Sequence, residues 1–129
     1  MLLFLIRHAE AAPGEPDELR ALTAAGRDAA RALGEQLAAD RLDAVLSSPL
    51  LRARETAQAI AKASGLSVET DERLAPGATA DDVRSAVAER GERVAVVGHQ
   101  PDCSQIATAL SGTDPGFPPG GVARLDLRV

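Results

Sequence analysis

The sequence predicts an α/β fold, layered around a largely parallel sheet, and two observations carry this prediction. Residues 2–6 and 94–97 are uninterrupted apolar runs, which are typical of strands covered on both faces. Strand-like segments also alternate along the chain with helical ones, as in sheets whose strands are joined by helices. With 129 residues, 45% of them hydrophobic, the chain can bury one core, so we expect a single domain over residues 1–129.

The strand at residues 2–6 is followed by a loop and a helix. Two prolines and a glycine interrupt any regular element over residues 9–22. Thr23 suits the N-cap of the next helix, because its hydroxyl can accept a hydrogen bond from a backbone N–H of the first turn. Small or apolar residues then recur at helical spacing on one face, which we expect to pack on the core: Ala25, Ala29, Leu33 and Leu37.

A second strand and helix come next. Residues 44–46 form a short apolar run that leads into Ser48 and Pro49. A serine is a good helix cap, and a proline suits the first turn because it has no N–H to leave unpaired. We therefore expect a helix over residues 49–64, ended by Gly65 and packed through an alanine-rich face.

The alternation continues through the middle of the chain. Val68 is expected to begin a short strand. Thr79 and Asp82 have the spacing of a capping box, in which each side chain bonds the backbone N–H of the other residue. This pattern predicts a helix that runs to about residue 90, before Gly91.

The last third of the chain adds a strand, a helix and a further strand. Residues 94–97 form the strand, Pro101 allows the helix to begin and Gly112 ends it. Residues 122–129 alternate between apolar and polar as an edge strand does. The expected packing face of the helix consists of Ile106, Ala109 and Leu110.

Composition excludes several classes of function. The net charge of −5 and an aromatic content of 2% argue against nucleic acid as a partner. The apolar run at residues 2–6 is too short to cross a membrane, so we expect no membrane association. Cys103 is the only cysteine, which rules out an intramolecular disulfide and a cysteine metal cluster, favours a cytoplasmic location and fits a small buried side chain.

Three predicted strands end at residues that can carry chemistry. The first ends at Arg7 and His8, the second at Ser48 with Arg52 one helical turn later, and the third at His99. In open α/β sheets, ligands bind beyond the carboxyl ends of the strands. If these strands are parallel, both histidines of the chain and two arginines converge on one pocket.

This set of residues suits phosphoryl transfer. A neutral imidazole can attack phosphorus, guanidinium groups neutralise the phosphoryl oxygens, and the helix that starts near Ser48 offers backbone N–H groups to an anion. Two histidines without a carboxylate at ligand spacing make a poor metal site, so we expect no metal or other cofactor. Taken singly, each residue has an ordinary explanation, because an arginine can simply be solvated and a histidine can simply lie in a turn. Their conjunction at strand ends favours a phosphate site.

Four segments, in this order, resemble the histidine phosphatase (phosphoglycerate mutase-like) superfamily. They are RHAEA at residues 7–11, LTAAG at 22–26, SSPLLRARETA at 47–57 and VGHQP at 97–101. Ala9 stands where glycine is usual in the superfamily. The short chain, without room for a large inserted cap, is most similar to the small bacterial SixA-type phosphohistidine phosphatases.

The resemblance implies a three-layer α/β/α sandwich with a mixed, mostly parallel sheet. It also implies that His8 is the nucleophile that becomes phosphorylated, and that Arg7, Arg52 and His99 complete the phosphate pocket. Arg54 lies at a variable motif position and is not carried over. For the proton donor used by many members, the sequence offers Glu10 and Glu72 as candidates, each of which is otherwise a solvated carboxylate.

The expected function is therefore that of a metal-independent phosphatase acting on phosphohistidine carried by a protein. Expulsion of an imidazole needs less help from a general acid than expulsion of an alkoxide, which fits the absence of an obvious proton donor. Two alternatives stay open: a phosphatase for a small phosphate ester, and an idle phosphate-binding module. A mutase is less favoured because it must enclose a bisphosphate. We expect a monomer, with a phosphohistidine-bearing protein or a small phosphorylated molecule as its partner.

Overall fold

A computed structural model describes residues 1–127 of the chain, and its regular elements alternate as the sequence predicts. The strands are β1 (Leu2–Arg7), β2 (Ala44–Ser47), β3 (Val68–Thr70), β4 (Arg93–Gly98) and β5 (Val122–Asp126). The helices are α1 (Ala24–Ala38), α2 (Leu51–Ala63), α3 (Ala80–Val87) and α4 (Asp102–Ser111), with short 3-10 turns at Asp17–Leu19 and Glu72–Leu74. The last two residues of the predicted edge strand lie outside the described part.

The five strands form one mixed sheet in the order β3-β2-β4-β1-β5. Strands β1, β2, β3 and β4 are parallel, and β5 runs antiparallel beside β1 at the edge. This confirms the mostly parallel sheet and the edge strand. The three strands that end in candidate site residues, β1, β2 and β4, are direct neighbours in this order.

Helices cover both faces of the sheet, so the α/β/α sandwich is also confirmed. On one face, the alternate residues Leu3 and Leu5 of β1 pack with α3 and α4. On the other face, Phe4 and Ile6 pack with α1 and α2. Because successive side chains of a strand point to opposite faces, an unbroken apolar run is what a doubly covered strand requires.

The helix caps agree with the sequence at three points. The Thr23 hydroxyl accepts from the Gly26 N–H at the start of α1, and Thr79 and Asp82 form the capping box of α3. Gly112 follows α4 in the left-handed conformation, with φ of +82°, which glycine adopts at little steric cost. No helix within residues 1–127 is long and apolar enough to cross a membrane.

The predicted packing faces of α1 and α4 are partly wrong. Ala25, Ala29 and Ala109 are exposed. In the first half of α1 the buried stripe is shifted by one residue, whereas Leu33 and Leu37 are buried as predicted. The stripe includes two glycines, because the backbones of other segments come too close for a side chain there. The buried residues of α1 are Gly26, Ala30, Leu33, Gly34 and Leu37, and those of α4 are Asp102, Cys103, Ile106 and Ala107.

Two helix boundaries also differ from expectation. Helix α2 begins at Leu51 instead of residue 49, because the Ser48 hydroxyl accepts from the Leu50 N–H at 3.2 Å in a turn that precedes the helix. Helix α3 ends at Val87, three residues early, and Glu89 takes a positive φ of 62° before the turn into β4.

Candidate active site

The carboxyl ends of β1, β2 and β4 meet at one edge of the sheet. Arg7 at the end of β1 pairs with Gly98 at the end of β4, and Ser47 at the end of β2 pairs with Val97. The residues that follow these strands therefore leave the sheet side by side. The rings of His8 and His99, distant in sequence, have centroids only 5.3 Å apart and planes tilted by 57°.

Two hydrogen bonds orient His8. Its backbone N–H donates to the Gly98 carbonyl at 3.0 Å, and its ring Nδ1 lies 2.7 Å from the Ala9 carbonyl oxygen. A carbonyl oxygen can only accept, so Nδ1 carries the proton. In the neutral ring, Nε2 then holds the lone pair and is the nitrogen available for attack on an electrophile.

The surroundings of His8 favour its neutral form. Burial lowers the pKa of the ring below its usual value of 6.5, and the nearby positive charges of Arg52, Arg7 and Arg20 lower it further, against the opposing effect of the Ala9 carbonyl. At neutral pH the ring is therefore a nucleophile, with cations close enough to hold an incoming anion.

His99 is buried and held by a serine. Its Nε2 lies 2.7 Å from the Ser48 Oγ, and only 4% of the residue is exposed. Burial is the main reason that its pKa falls to about 4, followed by the nearby charges of His8 and Arg52. His99 is thus neutral at pH 7.

The hydrogen-bond partners suggest which His99 nitrogen carries the proton. The Ser48 Oγ accepts from the Leu50 N–H, and its own proton is free to be donated to His99 Nε2. Nδ1 then carries the ring proton, and it is buried without a partner among the described residues. A buried N–H without a partner is costly, so it is suited to donate to a phosphoryl oxygen.

The two arginines each contact a loop at the rim of the site. Arg7 donates through NH1 to the Phe117 carbonyl at 3.0 Å, and its buried Nε has no partner among residues 1–127. Arg52 donates through NH1 to the Asp17 carbonyl at 2.9 Å and through NH2 to the Asp17 carboxylate at 3.3 Å. Each guanidinium has five N–H groups, so both keep donors for a ligand.

The structure thus brings together all four residues that the sequence singled out: Arg7, His8, Arg52 and His99. The two carboxylates considered as proton donors differ in their surroundings. The Glu10 side chain accepts from the Thr23 hydroxyl at 2.7 Å, beside the start of α1. Glu72 lies exposed in the 3-10 turn after β3. Cys103 is buried, as expected, and burial raises the pKa of its thiol to about 12.

Sequence reasoning missed three residues around the site. Asp17 and Arg20 lie in the loop before α1, where the Arg20 NH1 also donates to the Asp17 carboxylate at 3.0 Å. Thr56 bridges α2 and the peptide after His8. No sequence pattern predicts that the loop with Asp17 and Arg20 lies beside the site. Thr56, however, lies one turn after Arg52 on the same helix, which was a usable signal.

Within the described residues, the side chains of histidine, cysteine, aspartate and glutamate form no group of three that could hold a metal ion. The positive charge near His8 comes instead from Arg7, Arg52 and Arg20.

Comparison with known proteins identifies the family. The sequence model of the family described as "Histidine phosphatase superfamily (branch 1)" matches residues 3–76. No curated protein matches the chain at a significant level.

Solved structures match over almost the whole chain. The protein histidine phosphatase SixA in complex with tungstate is 27% identical, with a TM-score of 0.84 over 96% of this chain and 86% of that one. A protein of Agrobacterium tumefaciens assigned as a SixA phosphohistidine phosphatase is 34% identical, with a TM-score of 0.81 over 97% of this chain and 90% of that one. A mycobacterial glucosyl-3-phosphoglycerate phosphatase shares the fold, at 19% identity and a TM-score of 0.75 over 95% of this chain and 88% of that one.

Proposed function

Since this chain belongs to the histidine phosphatase superfamily, we propose that it is a metal-independent phosphatase that removes phosphoryl groups from phosphohistidine on a protein, through a phosphorylated His8. The observation that carries the proposal is the orientation of His8. Its Nδ1 is fixed as a donor to the Ala9 carbonyl, which leaves Nε2 as the nucleophile beside Arg7 and Arg52.

The reaction has two displacements at phosphorus. In the first, the lone pair of His8 Nε2 forms a bond to phosphorus while the bond from phosphorus to the substrate's ring nitrogen breaks. The substrate imidazole leaves with that electron pair and takes up a proton from solvent. In the second, water attacks phosphorus and loses a proton to solvent, the bond to Nε2 breaks, and phosphate is released.

The other polar groups stabilise charge during both steps. Arg7 and Arg52 neutralise the phosphoryl oxygens, and the Nδ1–H of His99 donates to one of them. When Nε2 bonds to phosphorus, the His8 ring becomes positively charged, and its Nδ1–H then donates more strongly to the Ala9 carbonyl. That carbonyl therefore stabilises the transition state more than the free enzyme.

Two features favour phosphohistidine over an alkyl phosphate. The leaving imidazole needs little protonation, and of the two candidate acids Glu10 is hydrogen-bonded to Thr23 and Glu72 is exposed to solvent. His8 itself is only half-buried. A partly exposed nucleophile suits a side chain presented by a protein.

A phosphatase for a small phosphate ester is the second candidate. It is favoured by the similarity of the fold to that of the mycobacterial glucosyl-3-phosphoglycerate phosphatase. A third candidate, an idle phosphate-binding module, would need the arginines but not the oriented, neutral imidazole of His8. For all three, we propose a cytoplasmic monomer.

The test compares three substrates with and without EDTA: a protein domain phosphorylated on histidine, p-nitrophenyl phosphate and a sugar phosphate. We expect the phosphohistidine domain to have the highest kcat/KM, EDTA to have no effect, and radiolabelled phosphate to be trapped on the wild type but not on His8→Ala. Preference for the small esters would support the second candidate, and no turnover at all would support the third.

Two arginine variants test the phosphate clamp, by which we mean Arg7 and Arg52 bound to the phosphoryl oxygens. Arg52→Ala should lower kcat/KM by about a hundredfold or more, the scale on which loss of one charge-stabilising donor acts. Arg31→Ala is the matched control, because Arg31 is an exposed residue of α1 that pairs only with Asp28 among the described residues. Equal losses in both variants would argue against the clamp.

A further inference from the structure

We infer that Thr56 is a positioning residue for the reaction, because its hydroxyl joins the helix that carries Arg52 to the peptide that follows His8. This inference deepens the proposed function and rests on His8 being its nucleophile. Thr56 does not touch the reacting atoms, and it acts through Ala9, whose carbonyl orients the His8 ring.

The Thr56 hydroxyl is fully committed to two bonds. Its Oγ1 accepts from the Ala9 N–H at 3.0 Å and donates its only proton to the Arg52 carbonyl at 2.9 Å. Thr56 has no exposed surface, and Ala9 is 1% exposed. Water is therefore excluded from replacing either bond, and the Ala9 N–H would be left unpaired without the hydroxyl.

The two peptide groups of Ala9 are held from different sides. Its N–H donates to Thr56, and its carbonyl accepts a hydrogen bond from His8 Nδ1 at 2.7 Å. The same carbonyl stabilises the positive charge that develops on the His8 ring during attack. If the N–H is released, the backbone at Ala9 can rotate, and the carbonyl no longer fixes which ring nitrogen of His8 is free.

The bond from Ala9 distinguishes Thr56 from an ordinary helical threonine. Threonine hydroxyls inside helices commonly donate to the carbonyl four residues earlier, and Thr108 does so to Ser104 at 2.9 Å in α4. Among the described residues, the Thr108 hydroxyl bonds no other segment, and Thr108 is exposed. It supplies a control in which the same hydroxyl is removed from a helix without any link to His8.

The experiment compares the wild type with Thr56→Val, Thr56→Ser, Thr56→Ala and Thr108→Val. The first readout is kcat and KM for the hydrolysis of p-nitrophenyl phosphate. The second is ¹⁵N NMR of the imidazole rings, which reports the tautomer of each histidine directly. The chain has two histidines, so His99→Gln in the same backgrounds assigns the signals.

We expect Thr56→Val and Thr56→Ala to lower kcat by about ten- to a hundredfold with KM changed less than threefold, since one buried hydrogen bond is lost and the phosphate ligands remain. The His8 signals should move from the Nδ1–H form toward a tautomer mixture. Thr56→Ser and Thr108→Val should resemble the wild type in both readouts.

Wild-type kcat and an unchanged His8 tautomer in a folded Thr56→Val or Thr56→Ala protein would overturn the inference. Loss of activity in Thr56→Ser to the level of Thr56→Ala would also overturn it, because shape and not the hydroxyl would then be decisive. The tautomer readout needs no substrate. If the wild type turns nothing over, the proposed function fails while the role of Thr56 is still tested by NMR.

Discussion

Within residues 1–127, the guanidinium of Arg52 is held by one residue, Asp17, through both its backbone carbonyl and its side chain. NH1 donates to the Asp17 carbonyl at 2.9 Å and NH2 to the carboxylate at 3.3 Å. The Asp17 side chain is 59% exposed, whereas that of Arg52 is 10% exposed. The proposed phosphate clamp therefore shares its charge with a carboxylate at the solvent edge, and bonds to Arg20 and Arg52 hold the pKa of that carboxyl below its usual value.

Asp17→Asn should strengthen the binding of phosphate. The ionised carboxylate repels a phosphoryl dianion and competes for Arg52, so its neutralisation should lower the inhibition constant of phosphate by about three- to tenfold. The measurement is inhibition of p-nitrophenyl phosphate hydrolysis at low and high salt, with a larger gain at low salt.

The control is Asp28→Asn, which removes an exposed carboxylate paired with Arg31. Weaker inhibition by phosphate in Asp17→Asn would show that the carboxylate aligns Arg52 rather than competes with the ligand.

Ser48→Ala should impair catalysis more than Ser47→Ala, although both serines are buried neighbours. Ser48 bonds His99, whereas the Ser47 hydroxyl donates to the Ser48 carbonyl at 2.8 Å. Without Ser48, Nε2 of His99 is unpaired, and we expect kcat to fall by about ten- to a hundredfold, the value of one buried hydrogen bond. The measurement is steady-state kinetics of both variants on p-nitrophenyl phosphate, with folding checked by circular dichroism. Similar losses in both variants would contradict a specific role for the pair with His99.

His99 should make the stability of the fold depend on pH between about 4 and 6.5. Its pKa is about 4 in the folded state against 6.5 in the unfolded chain, so the unfolded chain binds more protons in this window. Its neutral form thus stabilises the fold fully above pH 6.5, and this contribution is lost as the pH falls toward 4, by up to about 3 kcal/mol.

The measurement is the free energy of unfolding in urea at pH 7.0, 5.5 and 4.5, for the wild type and His99→Gln. The wild type should lose more stability than the variant as the pH falls. Parallel pH dependences in the two proteins would mean that His99 titrates near its ordinary value.

Gly26→Ala should destabilise the protein although alanine is the better helix former. A Cβ at Gly26 would lie 2.1 Å from the Glu10 carbonyl oxygen, two residues after His8. We expect a loss of about 1–3 kcal/mol on urea unfolding together with a lower kcat, because the backbone that orients His8 must shift.

Gly34→Ala is the matched comparison, since its Cβ would meet the Ala59 carbonyl oxygen at 2.7 Å, on the far turns of α1 and α2. It should lower stability with little change in kcat. A stabilised Gly26→Ala protein, as helix propensity alone would give, would contradict the close approach.

The predicted elements and the four central site residues followed from local patterns in the sequence. Apolar runs marked β1 and β4, a capping box marked α3, and residues at the strand ends marked His8 and His99. The failures came where contact between segments decided the outcome. Ala25 is exposed because the backbone of Glu10 requires a glycine at position 26 instead.

The sequence by itself determined the order of strands and helices along the chain and the burial of the central strands, because both depend on hydrophobic periodicity. It also determined which residues lie at one edge of the sheet, because parallel strands all end at the same edge. Only the tertiary structure decided which ring nitrogen of His8 is free, which carboxylate reaches Arg52 and what Thr56 bonds to. Those contacts join residues from separate segments, and a hydrogen bond of about 3 Å depends on how those segments are placed relative to each other, which no local pattern encodes.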